Sequence, residues 1–224
     1  MISFVIPSHN YGSLVSECIL SILKNEKKFI KEIIIIDDSS KDDTSKIVKK
    51  LKKRSKKIKY FKKKYKNLAK TMNYGISKTS GEIVCKIDAD DLIQRSFARE
   101  LYNFFSKTKS DFVYPDIIIN DKVNNLRFEK KQKINSFLKF FSYPHGSGCL
   151  FKKIIWKKVG GYNKINYYQD DYDFWLKINK IKNIKIKHFA KPLYIYNKHE
   201  KNMSKNKIEK NLTKIKIFFL NIIH

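Results

Sequence analysis

The chain has little that would break it or staple it. Seven glycines and four prolines in 224 residues exclude a collagen-like repeat and a long Gly/Pro-rich linker. With 42% hydrophobic and 14% aromatic residues, the composition is that of a globular chain and not a disordered one. Three cysteines, Cys18, Cys85 and Cys149, lie too far apart for a zinc spacing or a redox pair, which suits a reducing compartment. No apolar run approaches the roughly 20 residues that span a bilayer, and no basic leader precedes the first apolar stretch. The expectation is a soluble, cytoplasmic protein, with peripheral attachment at the inner face of a membrane as the further option.

Acidic side chains are scarce as well, 21 against 49 Lys and Arg, for a net charge of +28. Such an excess invites nucleic acid, because clustered cations release counterions from phosphates. Arginine, however, is confined to Arg54, Arg95, Arg99 and Arg127, while lysines run from Lys24 to Lys216 amid Ile and Asn. That scatter reads as a general drift in composition, and no aromatic RNA-reading motif accompanies it. A basic nucleic-acid-binding protein is therefore the rival reading, and no nucleic-acid partner is expected. The remaining charge suits an anionic substrate or an acidic membrane surface.

What the chain does have is order in its first half. An apolar strand, Ile2 to Pro7, is followed by Leu14, Val15, Cys18, Ile19, Ile22 and Leu23 at helical spacing. Glu32 to Asp37 holds a continuous β-branched run of the kind buried on both faces of a parallel sheet. Thr44 to Arg54 predicts a helix, Ile58 to Phe61 a strand, Asn67 to Lys78 a helix and Glu82 to Ile87 a fourth strand. The alternation predicts an α/β unit with a mostly parallel sheet. Ser96 to Lys107 continues it as a helix and Asp111 to Ile119 as a strand. Beyond, Asn120 to Lys133 reads as loop, Ile134 to Phe141 as helix and Asp170 to Ile181 as helix. Two short strands, Ile184 to Phe189 and Leu193 to Tyr196, follow. Lys207 to Ile223 predicts an amphipathic helix with Ile208, Leu212, Ile215, Phe219 and Ile222 on one face.

The scarce acids gather at strand ends. Strand one runs out at Pro7-Ser8-His9-Asn10, strand two at Asp37-Asp38, and strand four at Asp88-Ala89-Asp90-Asp91. In open α/β sheets the ligand crevice lies beyond the carboxyl ends of the strands. Two like charges about 4 Å apart repel by about 4 kcal/mol at an effective dielectric near 20, so three carboxylates in four residues call for a cation. A hard divalent ion with oxygen ligands is the natural candidate.

Taken together, Val5-Ile6-Pro7-Ser8-His9-Asn10, Ile36-Asp37-Asp38-Ser39-Ser40-Lys41-Asp42-Asp43-Thr44, Gly81-Glu82 leading into Ile87-Asp88-Ala89-Asp90-Asp91, Gly160-Gly161-Tyr162 and Asp170-Asp171-Tyr172-Asp173-Phe174-Trp175-Leu176 resemble the family 2 glycosyltransferases. The resemblance implies a GT-A fold: a Rossmann-like, mostly parallel central sheet with helices on both faces and a smaller acceptor-side portion. It implies one catalytic domain, with residues 1–119 binding the nucleotide sugar, 120–205 the acceptor, and 206–224 forming the terminal helix.

By the same resemblance Asp38 hydrogen-bonds the nucleotide base, with Pro7, His9, Asn10 and Asp88 around the nucleotide sugar. His9 is placed to stack on the base. Asp90 holds a Mn²⁺ or Mg²⁺ ion on the diphosphate, joined in the metal shell by Asp88, Asp91 and His199, because a departing nucleoside diphosphate gathers negative charge. Asp171 is the general base that takes the acceptor's proton in a single inverting displacement. Asp42 is expected as a helix cap and Asp173 as a residue facing the helix dipole. Ser39 and Asp43 stand where glycines are usual, Asn67 replaces a loop glycine, and Met72 replaces an arginine for which Lys70 compensates as a phosphate contact. The implied activity is metal-dependent transfer of a sugar, from a donor expected to be a UDP-sugar, to a glycan or lipid-linked acceptor in surface polysaccharide synthesis. Transfer to a polyprenyl phosphate at the membrane, with the terminal helix as anchor, is the alternative.

Overall fold

Alternating side chains decide how the first half packs. In the computed structural model, which describes residues 1–132, 134, 143–163, 169–200, 202 and 212–218, β1 (Ile2–Ser8) and β2 (Ile30–Asp38) pair in parallel and are buried along nearly all their length. Phe4, Ile6, Ile33 and Ile35 face one layer, built by α1 (Gly12–Leu23), α2 (Thr44–Arg54) and α4 (Phe97–Lys107). Val5, Ile34 and Ile36 face the other, built by α3 (Leu68–Ser77), α5 (Lys153–Lys158) and α6 (Asp170–Asn179). Each such isoleucine is fully buried and stabilises the fold by about 1.5–3 kcal/mol, which is why an unbroken apolar run forms a strand covered on both faces. Close approach of α3 depends on Gly75, where a Cβ would come 2.6 Å from Val5 Cγ1.

β3 (Ile58–Lys63) extends the parallel set beyond β2, and β4 (Ile83–Lys86) extends it beyond β1. The sheet then changes character. β8 (Leu150–Lys152) lies antiparallel against β4 and against β6 (Phe112–Asp121), β9 (Ile186–Lys198) runs parallel to β6, and β5 (Leu92–Ile93) closes the row antiparallel to β9. The order is β3-β2-β1-β4-β8-β6-β9-β5, with β7 (Leu126–Lys130) hairpinned onto β6. The α/β architecture is the expected one, parallel in the first half and mixed in the second.

Several local expectations change. The predicted loop at 120–133 contains β7, whose five residues are all exposed, so no burial pattern marked it. The two predicted strands near 184–196 are one, β9; its register slips opposite Pro115 and Asp116, next to Pro192, which has no N–H for the ladder. The helix predicted at Ile134 to Phe141 lies almost wholly outside the described residues, as do Ile208, Phe219 and Ile222 of the terminal helix. Residues 212–218 are helical. There Ile217 packs into the core while Leu212 and Ile215, expected on the packed stripe, are 65% and 55% exposed. Among the described residues no helix is long and apolar enough to cross a membrane.

Candidate active site

The acidic turn after β4 is held in shape by the end of β9. Asp91 N–H donates to the Asp88 carbonyl (3.1 Å), closing a tight turn. Tyr194 Oη donates to Asp91 Oδ2, Asn197 N–H to Asp91 Oδ1 at 2.8 Å, and Asn197 Nδ2 to the Asp90 carbonyl at 2.7 Å. Asp91 is 1% exposed. Both its oxygens accept from β9, so Asp91, expected as a metal ligand, anchors the turn. Burial, then the charges of Asp90 and Asp88, push its carboxyl well above the usual range. Asp90 remains at the surface of the cavity, and burial and the charge of Asp88 push it up too.

The turn forms one wall of a cavity of about 360 Å³, within the size range of small-molecule sites. Pro7 and Tyr11 come from the end of β1, Asp88 to Asp91 from the end of β4, and Gln169, Asp170 and Asp171 from the start of α6. His145, Gly146, Tyr143, Tyr172 and Tyr196 complete the lining with Leu68, Lys86, Ala89 and Asn202. In a protein of charge +28 the cavity is acidic. Burial and the carboxylates of Asp90, Asp88 and Asp91 drive the Tyr11 phenol upward.

Across the cavity stands Asp171. Its two oxygens accept from Lys86 Nζ at 2.9 and 2.7 Å, and the same ammonium lies 3.5 Å from Asp88 Oδ1. Burial alone would lower the Lys86 ammonium, but the charges of Asp171 and Asp88 outweigh it and raise it well above normal. Burial disfavours the Asp88 charge, yet Lys86, joined by Ser147 and His145, more than compensates and holds Asp88 below the usual carboxylate range. At Asp170 the Lys86 charge pulls the same way but is outweighed. Burial and the charge of Asp171 push it up to about 7, and its Oδ2 has no hydrogen-bond partner among the described residues. Asp173 is buried and paired with Lys177 at 2.7 Å, so it does more than face the dipole.

Lys86 was not singled out in the sequence, although a lysine inside Ile83-Val84-Cys85-Lys86-Ile87 carries its own signal: an ammonium in a buried strand requires a counter-charge. His145 and Gly146 had no comparable mark.

The other expected residues have these surroundings. Asp38 accepts from Tyr65 N–H (2.6 Å), Lys66 N–H (2.9 Å), Asn67 N–H (3.1 Å) and Thr71 Oγ1 (2.9 Å). Four donors fill the roughly four acceptor sites of a carboxylate, so a base could be bound only by giving one up; here Asp38 fixes the entry to α3. His9 Nδ1 meets the Asp38 carbonyl oxygen, and Asn10 Oδ1 accepts from Lys41 N–H (2.8 Å), tying the β1 and β2 loops together outside the cavity lining. Lys70 is exposed and not part of that lining, and Met72 is buried in the core. Asp42 caps by accepting from Gly12 N–H (2.9 Å) and Thr44 N–H (3.0 Å). Ser39 has φ +67°, the left-handed conformation that explains a usual glycine. Asn67 is extended and caps α3 through Lys70 N–H, whereas Lys66 is left-handed with φ +48°.

Among the described residues no three His, Cys, Asp or Glu side chains are grouped to hold a metal by themselves. Asp90 Oδ2 and His199 Nε2 do lie 3.0 Å apart, with Asn202 Nδ2 3.2 Å from the same oxygen. One carboxylate and one imidazole suit an ion that brings its remaining oxygens with a substrate's phosphates, the usual way Mg²⁺ is held. Of the expected set, Asp90 and His199 stand together, Asp91 is engaged by β9 and Asp88 faces Lys86.

Residues 3–159 match the model of glycosyl transferase family 2. An uncharacterized glycosyltransferase of Rickettsia typhi is 31% identical over 84% of this chain, which spans 61% of that protein. The O-antigen biosynthesis glycosyltransferase WbnJ of Escherichia coli is 27% identical, covering 92% of this chain and 83% of its own length. In fold, the chain matches residues 1–349 of S. aureus TarS, solved with UDP-GlcNAc, at a TM-score of 0.82 and 19% identity, over 100% of this chain and 66% of the other. It also matches the mannosyltransferase PcManGT of Pyrobaculum calidifontis, solved with GDP-Man and Mn²⁺, at 0.76 and 16%, over 100% and 64%. The fold is that of the GT-A type, as expected.

Proposed function

The chain belongs to glycosyl transferase family 2, and from that premise we propose that it moves a sugar from a nucleoside diphosphate donor to a hydroxyl of a glycan or lipid-linked acceptor, with inversion. The observation that carries this reading is the meeting of Asp88 and Asp90, from the turn after β4, with Asp171 from α6 at one cavity. Residues 1–119 supply the donor side and residues 120–205 the acceptor side. Asp90 and His199 would hold a divalent ion, whose charge offsets that gathering on the departing diphosphate. Asp171 accepts the acceptor's hydroxyl proton as that oxygen attacks the anomeric carbon from the face opposite the diphosphate, so a single displacement inverts the configuration. Tyr143, Tyr172 and Tyr196 supply apolar faces that exclude water and support a sugar ring.

The TarS complex supports a UDP-sugar donor and the WbnJ relative supports a role in surface polysaccharide assembly. A cytoplasmic site of action, peripheral at the membrane, belongs to the same proposal; the exposed Leu212 and Ile215 offer an apolar contact. The test is a panel of nucleotide sugars including UDP-GlcNAc and GDP-mannose, assayed with and without Mn²⁺ for binding and for nucleotide release. Asp90→Ala is expected to lose metal-dependent donor binding. Asp171→Asn is expected to bind donor and fail to transfer. Normal transfer by both variants would refute the assignment.

A further inference from the structure

Lys86 is the last residue of β4, 2% exposed, and its ammonium is shared by carboxylates from two parts of the fold. It donates to both oxygens of Asp171, on α6, and stands 3.5 Å from Asp88, on the donor-side turn of its own strand. Two bonds to one carboxylate fix that group's plane as well as its position. On another side of Asp171 runs the backbone of Gly146, so near that a Cβ there would overlap the Asp171 side chain. Gly146 does not need glycine for its φ, since it is absent from the positive-φ set; it needs glycine for space. The carboxylate is therefore clamped between a cation rooted in the central sheet and a bare stretch of main chain.

We propose that Lys86 is the positioning residue of this enzyme's reaction, setting where the Asp171 carboxylate stands relative to the donor-side turn, with Gly146 as the opposing wall. The inference rests on Asp171 being the general base. Because Lys86 ends the strand that leads, two residues on, into Asp88, it ties the base to the donor floor from the edge of rigid sheet, although the base and that floor come from elements more than 80 residues apart in the chain. Without it the carboxylates of Asp171, Asp88 and Asp170 would face one another with no cation between them, and Asp171 would turn away. Misplacing a reacting group by about 1 Å costs of order 100-fold in rate.

The experiment compares full-length wild type, Lys86→Met, Gly146→Ala, Asp171→Asn and the double variant Lys86→Met/Asp171→Asn. Turnover is read as nucleotide release from whichever sugar of the panel the wild type turns over fastest, and ground-state binding as the Kd for UDP or GDP with Mn²⁺. Lys86→Met and Gly146→Ala are each expected to lower kcat by about 30- to 300-fold while Kd changes by less than about threefold. In the double variant the Lys86→Met loss is expected to vanish, because there is no longer a base to position. A purely structural role would instead give losses that multiply, which would overturn the proposal. If Lys86→Met fails to bind nucleotide, Gly146→Ala, which changes no charge, decides the matter. Wild-type kcat in Lys86→Met and Gly146→Ala with an inactive Asp171→Asn would overturn the proposal and leave the base standing. A fully active Asp171→Asn would remove the base itself.

Discussion

The acidic turn after β4 and the acidic first turn of α6 face the same cavity, yet one is held by neutral donors and the other by a buried ammonium. Tyr194 and Asn197 fix Asp91 without cancelling its charge, so Asp90 and Asp91 are both pushed upward. Lys86 cancels charge at Asp171 and Asp88 from inside the protein. The difference bears on the proposed metal: the uncompensated charge sits at Asp90, beside His199, and not at the base.

Removing the reacting groups tests that division most severely. Asp171→Asn is expected to lower kcat by about 10²–10⁴-fold, the range for a lost general base, with donor Kd unchanged. Asp90→Ala is expected to abolish the Mn²⁺ dependence of nucleotide binding measured by titration calorimetry. Stability should separate the neighbours in the opposite sense. Asp91→Ala strands the Tyr194 hydroxyl and the Asn197 N–H, two buried donors worth about 1–3 kcal/mol each, so urea denaturation should show a loss of about 2–5 kcal/mol. Asp90→Ala should change it by under about 1 kcal/mol.

Next in size is Asp170. Its folded pKa, about 7, lies above the usual value near 3.9, so the folded state holds its proton more tightly. Its contribution is therefore present below about pH 4 and is lost as pH rises towards 7. Asp170→Asn should be more stable than wild type at pH 8, by on the order of 2 kcal/mol, with the gain shrinking towards pH 4. Equal stability curves would show that Asp170 ionises freely. The smallest effect is expected at Ser39, whose φ of +67° suits glycine. Ser39→Gly should stabilise by up to about 1 kcal/mol in thermal unfolding, part of the relief being offset by the freer unfolded chain.

The first half of the fold was legible because burial on both faces writes itself as Ile33 to Ile36 and because helices such as Thr44–Arg54 show a clean apolar stripe. β7 was hidden because an exposed edge hairpin carries no alternation, and β8 because three residues are too few to show any. In the site, Asp88, Asp90 and Asp171 stood out as acids in a lysine-rich chain. Asp38 looked alike in sequence, and only the fold reveals that Tyr65, Lys66, Asn67 and Thr71 saturate it. Lys86 stayed hidden among 49 basic residues. Its distinction is burial between two carboxylates, a property of three-dimensional neighbours from β4 and α6.

The place of β8 has a bearing on synthesis. Leu150–Lys152 sits between β4 and β6 in the sheet order, so the outer edge of β4 is capped only after residue 152 has left the ribosome. At about 5–20 residues per second the nascent chain carries an uncapped, apolar strand for several seconds, a template for pairing with its neighbours on a polysome. Fragments ending near residue 119 would keep that edge permanently. They would also lack Tyr194 and Asn197, so the acidic turn would be made early in translation and take its working shape only when β9 arrives, about 100 residues later.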